Sequence, residues 1–294
     1  MTQTFPLSAA AELAVVERSG FVESRHAGSA VVLAPDGAVA RGVGDPEALV
    51  LPRSALKPLQ ALACLTASAA LTGAQLALAA ASHTGTDRHV TVVREILAAA
   101  DVGEDDLGCP AAWPTDRATR DELVRDRTEP ARIRHECSGK HAAMLLACRA
   151  SGWPTAEYLD PGHPLQQHVL QVVERMTGQK PSVVAVDGCG APVPAISLTG
   201  LARALHRMGT ASERSPFALH RQGAAVLAAA RTHPWAIAGP GRADTTIAER
   251  TGVFAKTGAE GLLVMVAPDG TTVAVKVLDG SARAGGAVAL RLLE

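Results

Sequence analysis

Ser54 and Lys57 stand three residues apart in the stretch 51–58, and together their side chains could provide an activated nucleophile. If a helix starts at Ser54, the two side chains lie on the same face of its first turn. A serine hydroxyl attacks only after a base takes its proton, and a lysine amine accepts that proton only when it is neutral. Burial or a second nearby cation can lower the pKa of a lysine well below its usual value of about 10.4. The spacing therefore indicates a candidate nucleophile and base; the alternative is a helix-capping serine beside an unrelated lysine.

Two further motifs carry groups that suit the same chemistry. Ser82 opens the segment Ser-His-Thr-Gly after a short predicted helix, and Lys256 opens Lys-Thr-Gly at the end of a predicted strand. Lys256 could lower the pKa of Lys57 as a second cation, or it could itself be the base for a second serine. Gly258 leaves room for close approach to the strand. Singly these motifs are an ordinary helix cap and a turn lysine, but in this order with Ser54 they indicate one site.

The cysteines offer a second kind of chemistry. Their odd number in a long chain predicts a reducing compartment, with free thiols used for packing or metal binding. Cys137 and Cys189 are candidate zinc ligands, although two thiolates alone make an incomplete site. Cys137 could instead be a thiolate nucleophile that His135 or His141 activates. Asp187, close to Cys189 in a glycine-rich loop, could hold a substrate ammonium group or a partner lysine; the alternative is a turn aspartate.

Composition limits the classes of partner and location. The formal net charge is −1, and no block of basic or acidic residues occurs. This argues against nucleic acid or an anionic membrane as a required partner. The most apolar stretch, 59–81, is interrupted by polar residues and glycine, so we expect no membrane span there. The N-terminus lacks the basic and apolar segments of a signal peptide, and we therefore expect a cytoplasmic protein.

The elements that must position these residues are strands at both ends of the chain and helices between them. Asp36-Gly37 and Asp269-Gly270 are hairpin signals flanked by strand-like runs. We therefore predict an α/β (α+β) fold in which one antiparallel sheet, built from both chain ends, is flanked by helices. Because no disordered linker or internal repeat occurs, we expect a single domain over 1–294, with a helical subregion at roughly 54–232.

Seven motifs in order resemble those of the asparaginase II family, the zinc-containing L-asparaginases whose fold is similar to that of the serine β-lactamases. The matching segments are residues 22–26, 52–58, 82–85, 137–141, 187–192, 239–242 and 256–261. The resemblance covers most of the chain, and a full set of motifs in this order is far more specific than any one of them. It implies a serine β-lactamase-like fold, hydrolysis of L-asparagine to L-aspartate and ammonia, a bound zinc ion and a homodimer.

The resemblance also implies roles for individual residues. The catalytic residues would be two serine–lysine pairs, Ser54 with Lys57 and Ser82 with Lys256. The zinc ligands would be Cys137, Lys140 and Cys189, with water completing the shell. The substrate contacts, or residues close around the metal, would be Arg53, His83, His141, Asp187 and Gly258. In the mechanism that we expect, Ser54 attacks the side-chain amide carbon after Lys57 takes its proton. Ser82 and Lys256 then relay a proton to the leaving ammonia.

Three features depart from the family pattern and leave other activities open. Glu136 stands where a polar amide is expected, Thr86 stands where an acid is expected, and Lys-Thr-Gly at 256–258 is closer to the β-lactamase form. These departures bear on affinity and side-chain selectivity. The alternatives are a glutaminase, a β-lactamase or peptidase of the same fold, and a non-catalytic zinc-binding protein. The lack of a signal peptide and of a Ser-Asp-Asn motif between the lysine motifs counts against cell-wall substrates.

Overall fold

Strands from two distant parts of the chain form the central sheet of the structure, a computed structural model that describes residues 3–294. The strands are β1 (Ala11–Arg18), β2 (Phe21–Leu33), β3 (Val39–Val43), β4 (Leu49–Val50), β5 (Val184–Val186), β6 (Pro192–Pro194), β7 (Ile196–Ser197), β8 (Phe254–Gly258), β9 (Leu262–Val266) and β10 (Thr272–Val277). Six of them make one sheet in the order β1-β2-β10-β9-β8, with β3 also paired to β2. Every pairing in this sheet is antiparallel. The short pairs β4–β7 and β5–β6 lie outside it.

Helices fill the middle of the chain and also end it. They are α1 (Lys57–Thr66), α2 (Gly73–Ala79), α3 (Asp87–Ala99), α4 (Arg117–Arg125), α5 (Ser138–Ser151), α6 (Pro164–Thr177), α7 (Leu198–Thr210), α8 (Ala218–Thr232), α9 (Pro234–Ile237), α10 (Ala243–Thr251) and α11 (Gly285–Leu293). None of these helices is long and apolar enough to cross a lipid bilayer.

Helices cover both faces of the sheet. Val31 and Leu33 of β2 point into the larger core, which includes residues of α1, α7 and α8. Ala30 and Val32 point into a smaller core against α11. Every residue of β9 and β10 is buried, which explains why β9 is continuously apolar and β10 is apolar except at Thr272 and Lys276. The prediction of an antiparallel sheet built from both chain ends and flanked by helices is confirmed.

The strand β2 is longer than the sequence indicates. Two separate strands are expected from the pattern, one over 21–25 and one over 29–35, but β2 runs continuously from Phe21 to Leu33 through Gly28. A side chain at Gly28 would collide with the backbone oxygen of Lys276 on β10. Gly28 therefore keeps the strand intact because it lets β10 pair closely at this point. The predicted hairpin at Asp36-Gly37 joins β2 to β3, and Gly37 has the positive φ of 86° that the turn requires.

A short 3-10 helix, Arg53–Leu56, leads directly into α1. The helix start expected at Ser54 is therefore a tighter turn, and regular α-helix begins only at Lys57. Pro58 stands in the first turn of α1, where its missing N–H group leaves no hydrogen bond unmade. This turn lies against β8, because a side chain at Gly258 would come within 2.6 Å of the Pro52 oxygen. The two lysine motifs are thus held side by side.

Candidate active site

Two buried lysines converge on the hydroxyl of Ser82. Lys57 Nζ lies 2.8 Å from Ser82 Oγ, and Lys256 Nζ lies 3.0 Å from the same oxygen. Lys57 is the first residue of α1, Lys256 is the central residue of β8, and Ser82 lies in the loop after α2. The exposed fractions of the two lysines are only 1% and 0%, so both amines are shielded from bulk water. The predicted pair of Ser82 and Lys256 is in direct contact.

Ser82 is fixed by an extended segment between two other loops. The N–H group of Ser82 donates to the oxygen of Ile237, and that of Thr84 donates to the oxygen of Ala238. Between them the N–H group of His83 donates to the oxygen of Glu136 on the opposite side. Alternate residues of this segment are therefore held from alternate sides, as in a strand. The position of the Ser82 hydroxyl follows from that of the backbone.

His83 is built into this framework. Its Nδ1 accepts from the N–H group of Gly85 at 3.2 Å, and its Nε2 lies 3.0 Å from Ser138 Oγ. Ser138 in turn donates to the oxygen of Ile133 at 2.8 Å. Burial lowers the pKa of His83 well below its usual range, so the ring is neutral. Both ring nitrogens are engaged within the protein, so this side chain braces the Ser82 segment against the start of α5.

Ser54 faces the same space as Ser82. Ser54, Ser82, Lys256 and Gly258 line a cavity of about 590 Å³, and the exposed Glu136 also borders it. Among the residues that the structure describes, no hydrogen bond joins Ser54 to Lys57, whereas the other predicted pair, Ser82 and Lys256, is hydrogen-bonded. The Lys57 amine is directed instead to the oxygen of Ala81 at 2.6 Å, to Ser82 and to the oxygen of Glu136 at 3.4 Å. These three acceptors engage the Lys57 amine within the protein.

Asp244 is a member of the site that sequence reasoning missed. Its carboxylate accepts from both the N–H and the hydroxyl of Thr257, and lies 3.9 Å from Lys256 Nζ. Burial lowers the pKa of Lys256 to about 8, while Asp244 raises it and Lys57 lowers it further. Lys256 is therefore an amine that changes charge near neutral pH. The available signal was the position of Asp244, two residues after the Gly-Pro-Gly-Arg motif at 239–242.

Arg53 and Asp187, each predicted to contact substrate, are paired with each other. Arg53 Nε donates to Asp187 Oδ1 at 2.6 Å, and the N–H group of Gly188 donates to the same oxygen at 2.8 Å. Burial opposes the charge of Asp187, but the hydrogen bonds from Arg53 and Gly188 outweigh it and lower the pKa of the carboxyl. The pair connects the residue before Ser54 to the loop that carries Cys189.

The predicted zinc ligands lie together. Lys140 Nζ, near the start of α5, is 3.0 Å from Cys189 Sγ, and Cys137, Lys140 and Cys189 are all buried. The hydrogen bond from Cys189 lowers the pKa of Cys137 to about 5 despite its burial, and the nearby Lys57 and Lys140 also lower it. Two sulfur donors suit zinc. Within residues 3–294 no group of three His, Cys, Asp and Glu side chains is arranged to hold a metal.

His141 borders the thiol pair from a buried position. Its Nδ1 lies 2.6 Å from the hydroxyl of Tyr158, which itself accepts from the N–H group of Gly108 at 2.8 Å. If the hydroxyl of Tyr158 donates to Nδ1, the proton of the neutral ring is on Nε2. Burial lowers the pKa of His141 to about 4, so the ring is neutral. Nε2 is buried and has no hydrogen-bond partner among the described residues. No motif in the sequence singles out Tyr158, although it is the chain's one tyrosine.

The remaining cysteines lie apart from this site. All five are free thiols, and Cys64, Cys109 and Cys148 are buried in the core. Burial raises the pKa of Cys64 and Cys109 to about 12 and that of Cys148 to about 11. These three thiols therefore stay protonated and serve in packing.

Known proteins that resemble this chain include Mglu. The crystal structure of Mglu in its native form is 13% identical, with a TM-score of 0.46, over 90% of this chain and 63% of Mglu. Mglu in its glutamate form is 14% identical, with a TM-score of 0.39, over 90% of this chain and 60% of Mglu. The chain thus spans less than two thirds of the length of Mglu. No curated protein matches it. Residues 14–294 match the family described as L-asparaginase II, and because this match covers almost all of the sequence, the chain belongs to the L-asparaginase II family.

Proposed function

We propose that this protein is an amidohydrolase that converts L-asparagine to L-aspartate and ammonia with a serine nucleophile. The observation that carries the proposal is the convergence of Lys57 and Lys256 on Ser82 at a cavity that also contains Ser54. Amide hydrolysis needs a hydroxyl that can be deprotonated and a donor for the leaving ammonia. Membership of the L-asparaginase II family supports this class of reaction and this substrate.

The two serines have different surroundings, and we assign them different roles. Ser82 contacts both amines, so it can pass a proton between them and the leaving group. Lys256, with a pKa of about 8, is partly neutral at pH 7, so it can accept a proton through Ser82 as Ser54 is deprotonated and return it through Ser82 to the leaving ammonia. Ser54 lines the cavity and is the proposed nucleophile. Lys57 is its proposed base, although the two are not hydrogen-bonded here, because catalytic hydrogen bonds often tighten only when substrate binds.

We also propose a zinc ion held by Cys137, Lys140 and Cys189. The support is the resemblance together with the closeness of these three buried side chains. Lys140 must be neutral to bind a metal, whereas the nearby Cys189 and Cys137 outweigh the effect of burial and raise its pKa. Zinc, when bound, would supply a Lewis acid that orients substrate oxygens. His141 can donate from Nε2 towards a ligand sulfur, as the outer partners of zinc ligands commonly do.

The remaining proposals concern location and assembly. Five unpaired cysteines agree with a reducing compartment, and we propose that the protein is cytoplasmic. A homodimer is proposed on the resemblance alone.

The function is tested by measuring ammonia release from L-asparagine and L-glutamine in parallel with hydrolysis of a chromogenic β-lactam. We expect L-asparagine to be hydrolysed most efficiently, and Ser54→Ala and Ser82→Ala to abolish that activity. If glutamine or the β-lactam is hydrolysed faster, L-asparagine is not the preferred substrate and the proposed assignment is wrong. A chain that hydrolyses none of the three, yet binds zinc, would support the non-catalytic alternative.

A further inference from the structure

Asp244 connects the helix α10 to the edge of the sheet. It lies in the first turn of α10 and is 5% exposed. Its Oδ2 accepts from the backbone N–H group of Thr257 at 2.9 Å, and its Oδ1 accepts from the Thr257 hydroxyl at 2.6 Å. The strand β8 is the last strand of the sheet, so these groups of Thr257 have no neighbouring strand to pair with on this side. Asp244 takes the place of that strand.

The same peptide unit also orients Lys256. The Thr257 oxygen accepts a hydrogen bond from Lys256 Nζ at 2.7 Å, and the Lys256 amine then reaches Ser82 Oγ at 3.0 Å. A series of contacts therefore runs from Asp244 through Thr257 to Lys256 and Ser82.

Asp244 also balances the charges around Lys256. The charged groups that face this amine are Lys57 from α1, Glu136 and Cys137 from the segment before α5, and Asp244 from α10. Of these, Asp244 is the only carboxylate in the described structure within 4 Å of Lys256, at 3.9 Å. It is buried with the amine, so its charge is weakly screened by water.

We propose that Asp244 is a positioning residue for the reaction: it holds Thr257 so that Lys256 meets Ser82, and it supplies the charge that opposes the loss of the Lys256 proton. This inference rests on the proposed function. A purely structural role, in which Asp244 only fastens α10 to β8, makes different predictions for charge-changing and charge-preserving substitutions.

The test compares Asp244→Asn with Thr257→Val. The first removes the charge at nearly constant shape, and the second removes the hydroxyl contact but keeps the charge. In Asp244→Asn we expect the pKa of Lys256 to fall, since protonated Lys256 loses its nearest anion. In a plot of kcat/KM against pH, the rising part that reports loss of the Lys256 proton (the Lys256 limb) should move to lower pH. The value of kcat/KM above that limb should fall by about tenfold to a hundredfold, because Lys256 is no longer held in place. Thr257→Val should leave the limb where it is.

A direct measurement of the Lys256 pKa makes the test independent of turnover. The chain has only five lysines, Lys57, Lys140, Lys180, Lys256 and Lys276, so each can be resolved by NMR of protein labelled with ¹³C-lysine. A Lys256 pKa that is equal in wild type and Asp244→Asn overturns the inference even if asparagine is hydrolysed. A lowered Lys256 pKa in a protein that hydrolyses no asparagine supports the effect of the Asp244 charge on Lys256 but refutes the proposed function.

Asp244→Glu provides a second variant in case Asp244→Asn does not fold. It keeps the charge but adds a methylene group, so the pH limb should stay in place while kcat falls. Unchanged kcat in Asp244→Glu would show that the position of this carboxylate is unimportant and would overturn the positioning role.

Discussion

Ser82 is the one hydroxyl in the described chain that contacts both active-site lysines. Ser82→Ala should lower kcat by about 10²-fold to 10⁴-fold, since a positioned proton-transfer group contributes that much. Ser54→Ala should be equally inactive, and the double variant should be no worse than either single one because the residues act as a unit. The activity of all three variants is measured by ammonia release from L-asparagine.

Mass spectrometry of the intact protein then separates the two serines. Ser54→Ala should form no acyl-enzyme with a slow substrate, whereas Ser82→Ala should still form one. If instead only Ser54→Ala forms the acyl-enzyme, Ser82 is the nucleophile and Ser54 is the proton-transfer residue.

The charge of Lys256 predicts the pH dependence. Because burial lowers its pKa to about 8, the amine is mostly protonated at pH 6 and mostly neutral at pH 9. If the neutral amine accepts the proton of Ser82, kcat/KM rises with pH through that pKa and the optimum is alkaline. Lys256→Arg is the control, since a guanidinium group stays charged and this limb should disappear. A flat profile from pH 6 to 9 with chemistry rate-limiting would contradict the assignment.

At the scale of elements, the contact between β8 and the turn that carries Ser54 sets the shape of the site. Gly258→Ala would place a methyl group 2.6 Å from the Pro52 oxygen and 3.3 Å from the Ala55 nitrogen. The turn would have to move and carry Ser54 with it, so we expect kcat/KM to fall by about tenfold to a hundredfold. Gly286 lines the same cavity but has open space for a side chain, and Gly286→Ala should leave turnover unchanged. Equal activity of the two variants would show that this contact does not position Ser54.

The turn before α1 contains a strained residue. Arg53 has a φ of 49°, which favours glycine, yet its side chain pairs with Asp187. Arg53→Gly and Arg53→Ala both lose that pair, but only glycine also relieves the strain. Thermal or denaturant unfolding should therefore show Arg53→Gly to be the more stable by about 1 kcal/mol. Both should be less active than wild type. If alanine is as stable as glycine, the backbone at this residue is not strained.

How much the sequence reveals differs between these elements. The hairpins at Asp36-Gly37 and Asp269-Gly270 were predictable because their turns need residues of few types. The length of β2 was not predictable, because a glycine within a strand pattern usually marks an interruption. Only the closeness of the Lys276 backbone explains why Gly28 lies inside this strand. Ser54, Ser82 and Lys256 could be found from their motifs. The direction of the Lys57 amine could not, because its acceptors lie on other segments, and Asp244 gave no local signal of its contact with Thr257.

At the scale of the whole molecule, the proposed zinc ligands come from distant segments, so the fold must form before the metal can bind. We expect removal of zinc to leave cooperative unfolding intact and to raise KM for asparagine more than it lowers kcat. Lys140→Ala and Cys137→Ser should lose zinc, as measured by metal analysis of the purified protein. Lys180→Ala, at an exposed lysine, is the control. Full zinc content in Lys140→Ala would remove this residue from the ligand set.

The pairing of β2 with β10 has a consequence for the order in which the protein becomes active. The ribosome makes Ser54, Lys57 and Ser82 early, but Lys256 belongs to β8, and both its neighbour β9 and the strand β10 that joins β9 to β2 are made after it. Sheet contacts between such distant segments form late, because the long intervening chain must first be brought together. A nascent chain that already carries both serines therefore lacks one of the two amines that contact Ser82, and we expect the proposed hydrolysis to begin only after β10 has paired with β2.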